Sequence, residues 1–372
     1  MSTSPALKET FLQFGTGNFL RAFVDLFASQ ENRAGRSAGR VVAVQSTGVE
    51  RARELNERGC RYRVAVRGFS DGKVVDEIEL SDAISRVLVA AAEWDEVLKV
   101  AASPDLRWIL SNVTEAGIAL EEKDLPTDHP PASFPAKLLQ CLKARYETGG
   151  GPITILPCEL VPENGAAAKK LVLEQAARWG CEPSFVAWLE KECRWVNTLV
   201  DRIVPGKPLF HTLLESDPLL ISAEPFAFWA LEGNAADLPL TGHHAVVTAT
   251  DITGYQLRKV RILNGAHSAL VAKAVPMGIV TVREAVEHPE VNAWLRRLLF
   301  EEIVPVLEGC VEEPELFARQ TLDRFANPFL DHKLSDIAKG HDGKMALRLQ
   351  PTLVEFRERF GHDPEILSSL FQ

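Results

Sequence analysis

The chain has 372 residues, more than one ordinary hydrophobic core accommodates, so we expect two domains. Its 46% hydrophobic and 25% charged residues are typical of a folded globular protein, and its net charge of −10 disfavours nucleic acid as a partner. No apolar run approaches the roughly 20 residues of a membrane helix, and residues 1–10 lack the apolar stretch of a signal peptide. We therefore expect a cytoplasmic protein whose partners are small molecules.

The first half of the chain alternates predicted strands with predicted helices. An apolar strand at residues 11–14 leads into a glycine-rich turn, and a helix is predicted at 19–30, where apolar residues recur at helical spacing. A second buried strand is predicted at 41–44. Further helices are predicted at 91–102 and 135–147, and further strands at 108–111 and 153–156. This alternation indicates an α/β domain with a parallel sheet.

The pattern changes beyond about residue 250. Strand patterns disappear, and helices are predicted at 291–307, 316–325, 328–338 and 353–360. We therefore expect an α/β domain over residues 1–250 and a mostly α-helical C-terminal domain over residues 251–372.

The turn after the first strand carries a glycine pattern that is typical of dinucleotide binding. Gly15 and Gly17 lie between a strand and a helix, where glycines permit a tight turn and close approach of a pyrophosphate to the helix N-terminus. The third glycine of this fingerprint is replaced by Leu20, while Arg21 is positioned to neutralise a phosphate. The pattern predicts a Rossmann-like NAD-binding domain, and the alternative is a glycine-rich turn of any α/β protein.

The position that usually recognises the adenosine ribose is not acidic in this chain. No Asp or Glu lies between Glu31 and Glu50, and Gln45 ends the second strand. We therefore expect Gln45 or a main-chain group to hold the ribose hydroxyls. Arg51 and Arg53 could accept the 2′-phosphate of NADP, but arginines in an Arg/Glu-rich helix are more often solvated, so we expect NAD rather than NADP.

Three polar side chains in the second half are spaced to face one cleft from one helix. With Lys259 at 0° on an α-helix, His267 falls at about 80° and Asn264 at about 140°. Gly265 and Ala266 would let a bulky group such as a cofactor ring come close. A lysine whose pKa is lowered by burial can exchange the hydroxyl proton during hydride transfer, while Asn264 and His267 polarise the carbonyl oxygen. The alternative is a solvated lysine in a basic run, with the other two side chains satisfied in the core.

Cysteines and histidines show no metal-ligand spacing. The six cysteines are scattered without a C-x-x-C pair, and the nine histidines include no H-E-x-x-H. We therefore expect catalysis without a bound metal ion, and no disulfide scaffold.

The spacing Lys259-x4-Asn264-x2-His267 resembles the signature of the mannitol dehydrogenase family, the polyol-specific long-chain dehydrogenases. Other segments resemble its uronate-reductase branch in the same order along nearly the whole chain. They are FLQFGTGNFLRAFVD (11–25), LSNVTEAGI (110–118), PCEL (157–160), NTLVDRI (197–203), RILNGAH (261–267) and RFANP (324–328). An incomplete glycine fingerprint is itself typical of this family.

The resemblance implies roles for individual residues. It makes Lys259 the general acid/base, surrounds the reacting oxygen with Asn264 and His267, and implies a proton relay through Glu115. The substrate-binding residues it implies are Asp201 and Arg324, with His332 and Lys333 positioned for a substrate carboxylate. The cofactor-binding residues expected from the turn and the resemblance together are Phe14, Gly15, Gly17, Asn18, Phe19, Arg21, Gln45 and Asn112.

The pair Glu159-Leu160 stands where mannitol dehydrogenases carry a polar Asn, which favours the uronate branch. The resemblance therefore implies an NAD-dependent enzyme that interconverts a hexuronate ketose and its aldonate, tagaturonate and altronate; we expect a monomer or small homo-oligomer. The alternatives are a fructuronate reductase, a mannitol-type or sugar-phosphate polyol dehydrogenase, or a catalytically silent NAD-binding homologue. Members of the family continue with further helices beyond the point that corresponds to Gln372, so we expect the helical domain to be shortened at its C-terminus.

Overall fold

The chain forms two compact units in a computed structural model. The structure describes residues 7–113 and 115–372; of Glu115 and Ala116 it describes the main chain alone. The first unit comprises the chain up to Ala65, Ile78–Ala223 and Ala227–Ile252. The second comprises Val66–Glu77, Glu224–Phe226 and Thr253–Gln372. Two short segments from the first two-thirds of the sequence thus join the second unit.

The strands of the described residues form three sheets. They are β1 (Glu9–Phe14), β2 (Arg40–Gln45), β3 (Tyr62–Ser70), β4 (Lys73–Ser81), β5 (Ile84–Val89), β6 (Trp108–Ser111), β7 (Thr154–Pro157), β8 (Arg194–Trp195), β9 (Thr198–Asp201), β10 (Ile221–Ala223), β11 (Phe228–Glu232) and β12 (Val246–Ala249). The largest sheet has the order β5-β2-β1-β6-β7-β8, with every adjacent pair parallel. The others are β10-β3-β4 and β12-β11-β9.

The central strands of the parallel sheet are almost wholly apolar. Parallel strands that helices cover on both sides are buried on both faces, so they have continuous apolar sequences rather than alternating ones. Phe11, Leu12 and Phe14 of β1 are completely buried, as are residues 41–44 of β2. The strand order and the helices between strands confirm the predicted Rossmann-like α/β fold.

Helices connect the strands of the first unit and make up most of the second. Those of the first unit are α1 (Asn18–Arg21), α2 (Val24–Arg33), α3 (Glu50–Glu57), α4 (Ala90–Ala102), α5 (Phe134–Glu147), α6 (Asn164–Arg178) and α7 (Pro183–Lys191). Those of the second are α8 (Thr253–Arg258), α9 (Gly265–Ala274), α10 (Val282–Glu287), α11 (Pro289–Arg297), α12 (Val304–Leu307), α13 (Pro314–Phe325), α14 (Leu334–Ile337), α15 (His341–Arg348), α16 (Gln350–Phe360) and α17 (Glu365–Ser369). Two π-helical segments, Lys259–Asn264 and Leu298–Ile303, join α8 to α9 and α11 to α12. The mostly helical C-terminal region is therefore confirmed.

Residues 19–30 do not form the single helix that their apolar spacing predicts, because α1 ends at Arg21 and α2 begins after a break. In a continuous helix the carbonyl groups of Arg21 and Ala22 would accept hydrogen bonds from residues four positions further on. Instead, the Tyr62 hydroxyl donates to the Arg21 carbonyl (2.8 Å), and the Arg202 guanidinium donates to the Ala22 carbonyl (2.7 Å). Two side chains from distant parts of the sequence therefore occupy the helix acceptors at the break.

The helix predicted at residues 328–338 is wrong over its first half, since only α14 within this range is helical. The chain before α14 is extended and paired with a distant segment. The Val282 N–H donates to the His332 carbonyl, and the Leu334 N–H donates to the Val280 carbonyl, both at 2.9 Å. This long-range pairing outweighs the local helical pattern.

The core of the second unit surrounds α9. Ala266, Ala269, Leu270 and Ala274 of this helix are all completely buried. A helix that is apolar on every side is surrounded by protein. The segment that carries the candidate catalytic residues is thus anchored in the centre of its unit.

Candidate active site

The parallel sheet of the first unit reverses its winding direction between β1 and β6, because β2 lies on one side of β1 and β6 on the other. In open α/β sheets, ligands bind beyond the carboxyl ends of the strands at this switch point. Gly15 directly follows β1, and Asn112 directly follows β6. These two residues mark the expected dinucleotide position.

Gly15 and Gly17 contribute to this turn in different ways. Gly15 has a φ of +127°, which L-residues rarely adopt, and its N–H donates to the Val44 carbonyl (3.0 Å). A Cβ at Gly15 would lie 3.4 Å from the Asn112 carbonyl oxygen. Gly17 has a φ of −66°, and a Cβ there would have no neighbour within 4 Å. Gly15 therefore fixes the turn, and Gly17 leaves a space that a ligand can occupy.

The Arg21 side chain is enclosed by protein, and its expected contact with a phosphate stays a prediction. Arg21 is only 1% exposed, and burial lowers its pKa to about 10. Its Nη2 donates to Asn18 Oδ1 (2.7 Å), and its Nη1 donates to the Leu219 carbonyl (3.4 Å). Its guanidinium also lies 5.1 Å from the centre of the Tyr62 ring. Arg21 thus orients the exposed side chain of Asn18.

A buried carboxyl group lies beside this turn. The completely buried side-chain amide of Gln13 donates to the Gly15 carbonyl (3.0 Å) and to Asp25 Oδ2 (3.3 Å). Burial raises the pKa of Asp25 to about 7, although the hydrogen bond from Gln13 and the charge of Arg21 act in the opposite direction. The sequence analysis gives neither Gln13 nor Asp25 a role; the signal for both is a polar residue inside a run of apolar ones.

Gln45 caps a helix, and its expected role at the adenosine ribose stays a prediction. Its Oε1 accepts a hydrogen bond from the Ala52 N–H (2.6 Å) at the start of α3. Its Nε2 donates to the Thr47 carbonyl (2.8 Å). Both ends of the side-chain amide are therefore engaged by the main chain.

The loop beyond β2 presents hydroxyl groups and a carboxylate. Ser46, Thr47 and Glu50 are exposed. Hydrogen bonds from backbone N–H groups lower the pKa of Glu50 and hold its carboxylate in the ionised form. Arg51 pairs with Glu54 (3.6 Å). The loop beyond β2 therefore carries exposed hydroxyl groups and an ionised carboxylate.

Main-chain groups hold the polar residues that follow β6 and β7. Asn112 Nδ2 donates to the Cys158 carbonyl (2.7 Å), and Glu159 Oε1 accepts from the Val113 N–H (3.0 Å). Burial raises the pKa of Glu159. Asn112 therefore ties the ends of the two strands together, while the side chain of Glu115 lies outside the described residues.

The two aromatic residues predicted at the cofactor turn differ in exposure. Phe14 is completely buried and packs edge-to-face on Phe134, with 5.3 Å between ring centres. Its side chain is a core residue, and its carbonyl accepts from the Asn112 N–H (3.2 Å) at the turn. Phe19 is half-buried and stacks on Phe23 at 4.8 Å. The expected role of Phe14 in cofactor binding stays a prediction, and its carbonyl is the part of the residue that lies at the turn.

Asp201 is the last residue of β9 and lies opposite Phe228 in the antiparallel pair with β11. It is buried, with 5% exposure. It belongs to the first unit but not to the parallel sheet. Its expected contact with substrate stays a prediction.

Lys259 begins a π-helix rather than continuing an α-helix. Hydrogen bonds in a π-helix join residues five apart, so Asn264 lies roughly one turn beyond Lys259 instead of about 140° around the axis. Both residues are half-buried, and His267 lies in the first turn of α9. The π-helix therefore aligns Lys259 and Asn264 better than the α-helical spacing predicts.

His267 carries a buried nitrogen atom without a hydrogen-bond partner. Its ring centre lies 4.3 Å from that of Phe325 and 5.0 Å from that of His332. Its Nε2 is buried and makes no hydrogen bond within the described chain. Burial, followed by the charges of His332, Arg324 and Arg348, holds the pKa of His267 well below its usual value. The imidazole is therefore neutral, with a polar atom left to be satisfied.

The space beside Gly265 is filled by protein, which corrects the expected approach of a cofactor ring there. A Cβ at Gly265 would lie 2.9 Å from Leu349 Cδ2. Leu349 and the adjacent Ala266 are completely buried. Gly265 instead allows the junction of α15 and α16 to pack closely on the start of α9.

Arg324 is held in a buried ion pair with Glu224, a residue without a recognisable motif in the sequence. Its Nε donates to Glu224 Oε2 (3.0 Å), and its Nη2 donates to Glu224 Oε1 (2.8 Å). The two side chains are each 2% exposed, and the guanidinium lies 4.3 Å from the centre of the Phe226 ring. The carboxylate of Glu224 thus neutralises much of the charge that was expected to face a substrate.

His332 and Lys333 have different surroundings. His332 is half-buried beside His267, and burial lowers its pKa. Lys333 is exposed, and its main chain forms an isolated bridge with Thr281. His332 thus contacts the candidate catalytic helix through the ring of His267.

Two absences hold for the described residues. They contain no group of three or more His, Cys, Asp or Glu side chains that could hold a metal ion. None of their helices combines the length and the apolar character that crossing a membrane requires. Neither feature identifies the protein, so its class depends on the fold and on similarity to known proteins.

Two family models match the chain. The one described as the mannitol dehydrogenase Rossmann domain matches residues 9–241, and the one described as the mannitol dehydrogenase C-terminal domain matches residues 251–369. The chain therefore belongs to the mannitol dehydrogenase family and is an oxidoreductase that acts on CH–OH groups.

The relatives of the chain include altronate oxidoreductases. That of Halalkalibacterium halodurans is 40% identical over 98% of this chain and 74% of its own length. That of Bacillus subtilis is 39% identical over 96% of this chain and 77% of its own length.

Solved structures show the same fold. A substrate-free D-sorbitol dehydrogenase is 25% identical, with a TM-score of 0.84 over 96% of this chain and 78% of that one. The mannitol 2-dehydrogenase of Pseudomonas fluorescens, in a ternary complex with NAD and D-mannitol, is 21% identical, with a TM-score of 0.76 over 98% of this chain and 78% of that one. The second similarity is one of fold alone.

Proposed function

We propose that the chain catalyses the NAD-dependent interconversion of tagaturonate and altronate, with Lys259 as the general acid/base. The observation that carries the proposal is the arrangement of the half-buried Lys259 and Asn264 on one π-helix, followed by the buried, unpartnered Nε2 of His267. A buried polar atom without a partner is costly in a protein without its ligand, and a substrate oxygen would satisfy it. The similarity to altronate oxidoreductases supports a sugar acid as the substrate.

The first unit is suited to a dinucleotide. The turn at Gly15 and the open space at Gly17 leave room for a pyrophosphate at the switch point of the sheet. The ionised Glu50 beyond β2 would repel a 2′-phosphate and can accept hydrogen bonds from ribose hydroxyls. These features support NAD in preference to NADP.

The proton chemistry assigns a role to each residue of the second unit. NADH, when bound, would supply the hydride for the ketone carbon. The Lys259 ammonium donates its proton to the carbonyl oxygen, so that one hydride and one proton convert C=O to CH–OH. Asn264 donates a hydrogen bond to the same oxygen from its side-chain amide. The neutral His267 offers Nε2 to a hydroxyl of the substrate, and the reverse reaction returns the proton to the neutral lysine amine.

The test is NADH oxidation measured in parallel with tagaturonate, fructuronate, fructose and fructose 6-phosphate, and repeated with NADPH. We expect kcat/KM to be largest for tagaturonate with NADH and to be unchanged by exhaustive treatment with EDTA. A larger kcat/KM for another ketose would assign the protein to that activity. Loss of activity with EDTA that zinc restores would overturn metal-independent proton transfer by lysine.

A further inference from the structure

Arg348 is a half-buried arginine beside the candidate catalytic helix. It is the last residue of α15, and its Nη1 donates to Ser268 Oγ (3.0 Å) and to the Asn264 carbonyl (3.4 Å). The next residue, Leu349, is the one that packs against Gly265. Arg348 is therefore fixed beside the first turn of α9 by close main-chain packing.

The charge of Arg348 is not neutralised by a carboxylate of the described residues. Its hydrogen-bond acceptors are a hydroxyl and a carbonyl oxygen, and burial lowers its pKa without an acidic neighbour to oppose the shift. Other arginines with little exposure in this unit pair with acids, such as Arg261 with Glu355 (2.9 Å) and Arg324 with Glu224 (2.8 Å). A partly desolvated cation is costly unless it meets an anion. Arg348 therefore has the properties of a binding group for an anion that comes from outside the protein.

The position of Arg348 relates this anion to the reacting groups. Its guanidinium contacts the main chain of Asn264, and its charge acts on the imidazole of His267. Its Nε and Nη2 make no hydrogen bond to the described residues, which leaves one edge of the planar fork for a ligand. That edge matches the two oxygen atoms of a carboxylate.

We propose that Arg348 binds the carboxylate of the sugar acid, while Lys259 and Asn264 act on the ketone at the other end of the substrate. The assignment rests on the proposed function, because it specifies which part of that substrate the second unit recognises. It also places recognition of the carboxylate at Arg348 instead of the exposed Lys333. An enzyme built in this way prefers uronates to neutral ketoses of the same stereochemistry.

The experiment compares Arg348→Gln and Arg348→Lys with the unchanged protein. Two ratios are measured: kcat/KM for tagaturonate against tagatose, and the calorimetric Kd of altronate against altritol. We expect Arg348→Gln to lower the kcat/KM ratio and to raise the Kd ratio, each at least about tenfold and through the acid alone, since a hydrogen bond to a charged group is lost. Arg348→Lys keeps the charge but not the planar fork, so both of its ratios should lie between those of the unchanged protein and those of Arg348→Gln. Arg296→Gln, at an exposed arginine of α11 that contacts Asn292, is the matched control.

Three results would overturn the assignment. Equal losses of kcat with tagaturonate and tagatose would make Arg348 a positioning residue for Asn264. Unchanged altronate affinity in a folded Arg348→Gln variant would show that Arg348 does not bind the substrate. A loss of kcat/KM with fructose 6-phosphate but not with tagaturonate would show that Arg348 does not recognise the carboxylate. A protein that binds altronate through Arg348 without turning it over would instead refute the proposed function and keep the binding site.

Discussion

The candidate site of the first unit is formed mainly by main-chain groups, whereas that of the second unit is formed by side chains. The glycine turn of the first unit, at which we propose that the cofactor binds, is formed by backbone groups and by the absence of side chains at Gly15 and Gly17. The site of the second unit is formed by the side chains of Lys259, Asn264 and His267 on a helix at the centre of its core. A site made of main chain tolerates changes in most side chains, whereas a site made of side chains depends on each one.

The units also differ in how they bury charge. The carboxyl group of Asp25 in the first unit is completely buried and interacts mainly through the neutral amide of Gln13. The carboxylate of Glu224 in the second unit meets Arg324 in a two-point ion pair. A proton can neutralise the first group, while the second requires its partner, so the two units should respond differently to pH and to substitution.

The largest expected effect tests whether the site of the second unit depends on one side chain. Lys259→Ala should lower kcat by roughly 10²–10⁴, the usual contribution of a positioned proton-transfer group. The Kd of NADH should be nearly unchanged, because the cofactor turn belongs to the first unit. Lys273→Ala is the control, since Lys273 lies on α9 and pairs with the exposed Glu290 (2.8 Å). A Lys259→Ala enzyme that keeps more than about a tenth of the activity would favour a solvated lysine.

The next effect concerns the buried ion pair. Glu224→Gln should lower the free energy of unfolding by about 3–5 kcal/mol, because it removes a carboxylate that binds the buried Arg324 guanidinium at two points. Glu315→Gln removes the exposed partner of Arg319 on the same helix, α13, and should cost less than about 1 kcal/mol. Urea denaturation of both variants measures the difference. Similar losses of unfolding free energy in the two variants would show that burial does not make the Glu224–Arg324 pair more important for stability than an exposed pair.

The third prediction concerns Asp25 and the pH dependence of stability. The pKa of Asp25 is raised from 3.8 to about 7 in the folded chain, so the folded state keeps a proton that the unfolded state loses. The contribution of this group to stability is therefore full below about pH 4, decreases as the pH rises toward 7, and is constant above that. An asparagine side chain at this position would imitate the protonated acid at every pH.

We therefore expect the unchanged protein to lose on the order of 4 kcal/mol more than Asp25→Asn between pH 4 and pH 8. The measurement is the free energy of unfolding at several pH values. Asp95→Asn, at an exposed position of α4, is the control. Parallel pH profiles for the protein and Asp25→Asn would mean that Asp25 is ionised in the folded state throughout this range.

The smallest effect tests the main-chain site. Gly17→Val places a side chain in open space with a φ that valine adopts readily, so the fold should be unaffected. The new side chain should weaken NADH binding at least about tenfold, or about 1.4 kcal/mol, by occupying the pyrophosphate position. Gly151→Val, at an exposed glycine of the same unit whose Cβ would also meet no neighbour, is the control. An unchanged calorimetric Kd of NADH for Gly17→Val would show that the cofactor does not bind at this turn.

The sequence by itself determined the features that depend on local composition. The apolar runs at residues 11–14, 41–44 and 108–111 predicted strands of a parallel sheet, because a strand buried on both faces needs apolar side chains on both. The glycines after the first strand predicted the position of the turn, since Gly15 has a φ that other residues rarely adopt. The segments shared with the mannitol dehydrogenase family indicated the fold of both halves.

Only the tertiary structure decided features that depend on distant partners. Tyr62 and Arg202 occupy carbonyl groups that would continue α1 into α2, and Glu224 neutralises Arg324. Ala52 engages Gln45 through its N–H, and Leu349 fills the space beside Gly265. The same local sequence pattern is compatible with a polar side chain or a glycine that faces a ligand, a neighbouring residue or solvent. The choice is made by hydrogen bonds and packing between residues far apart in the chain, which local spacing does not record.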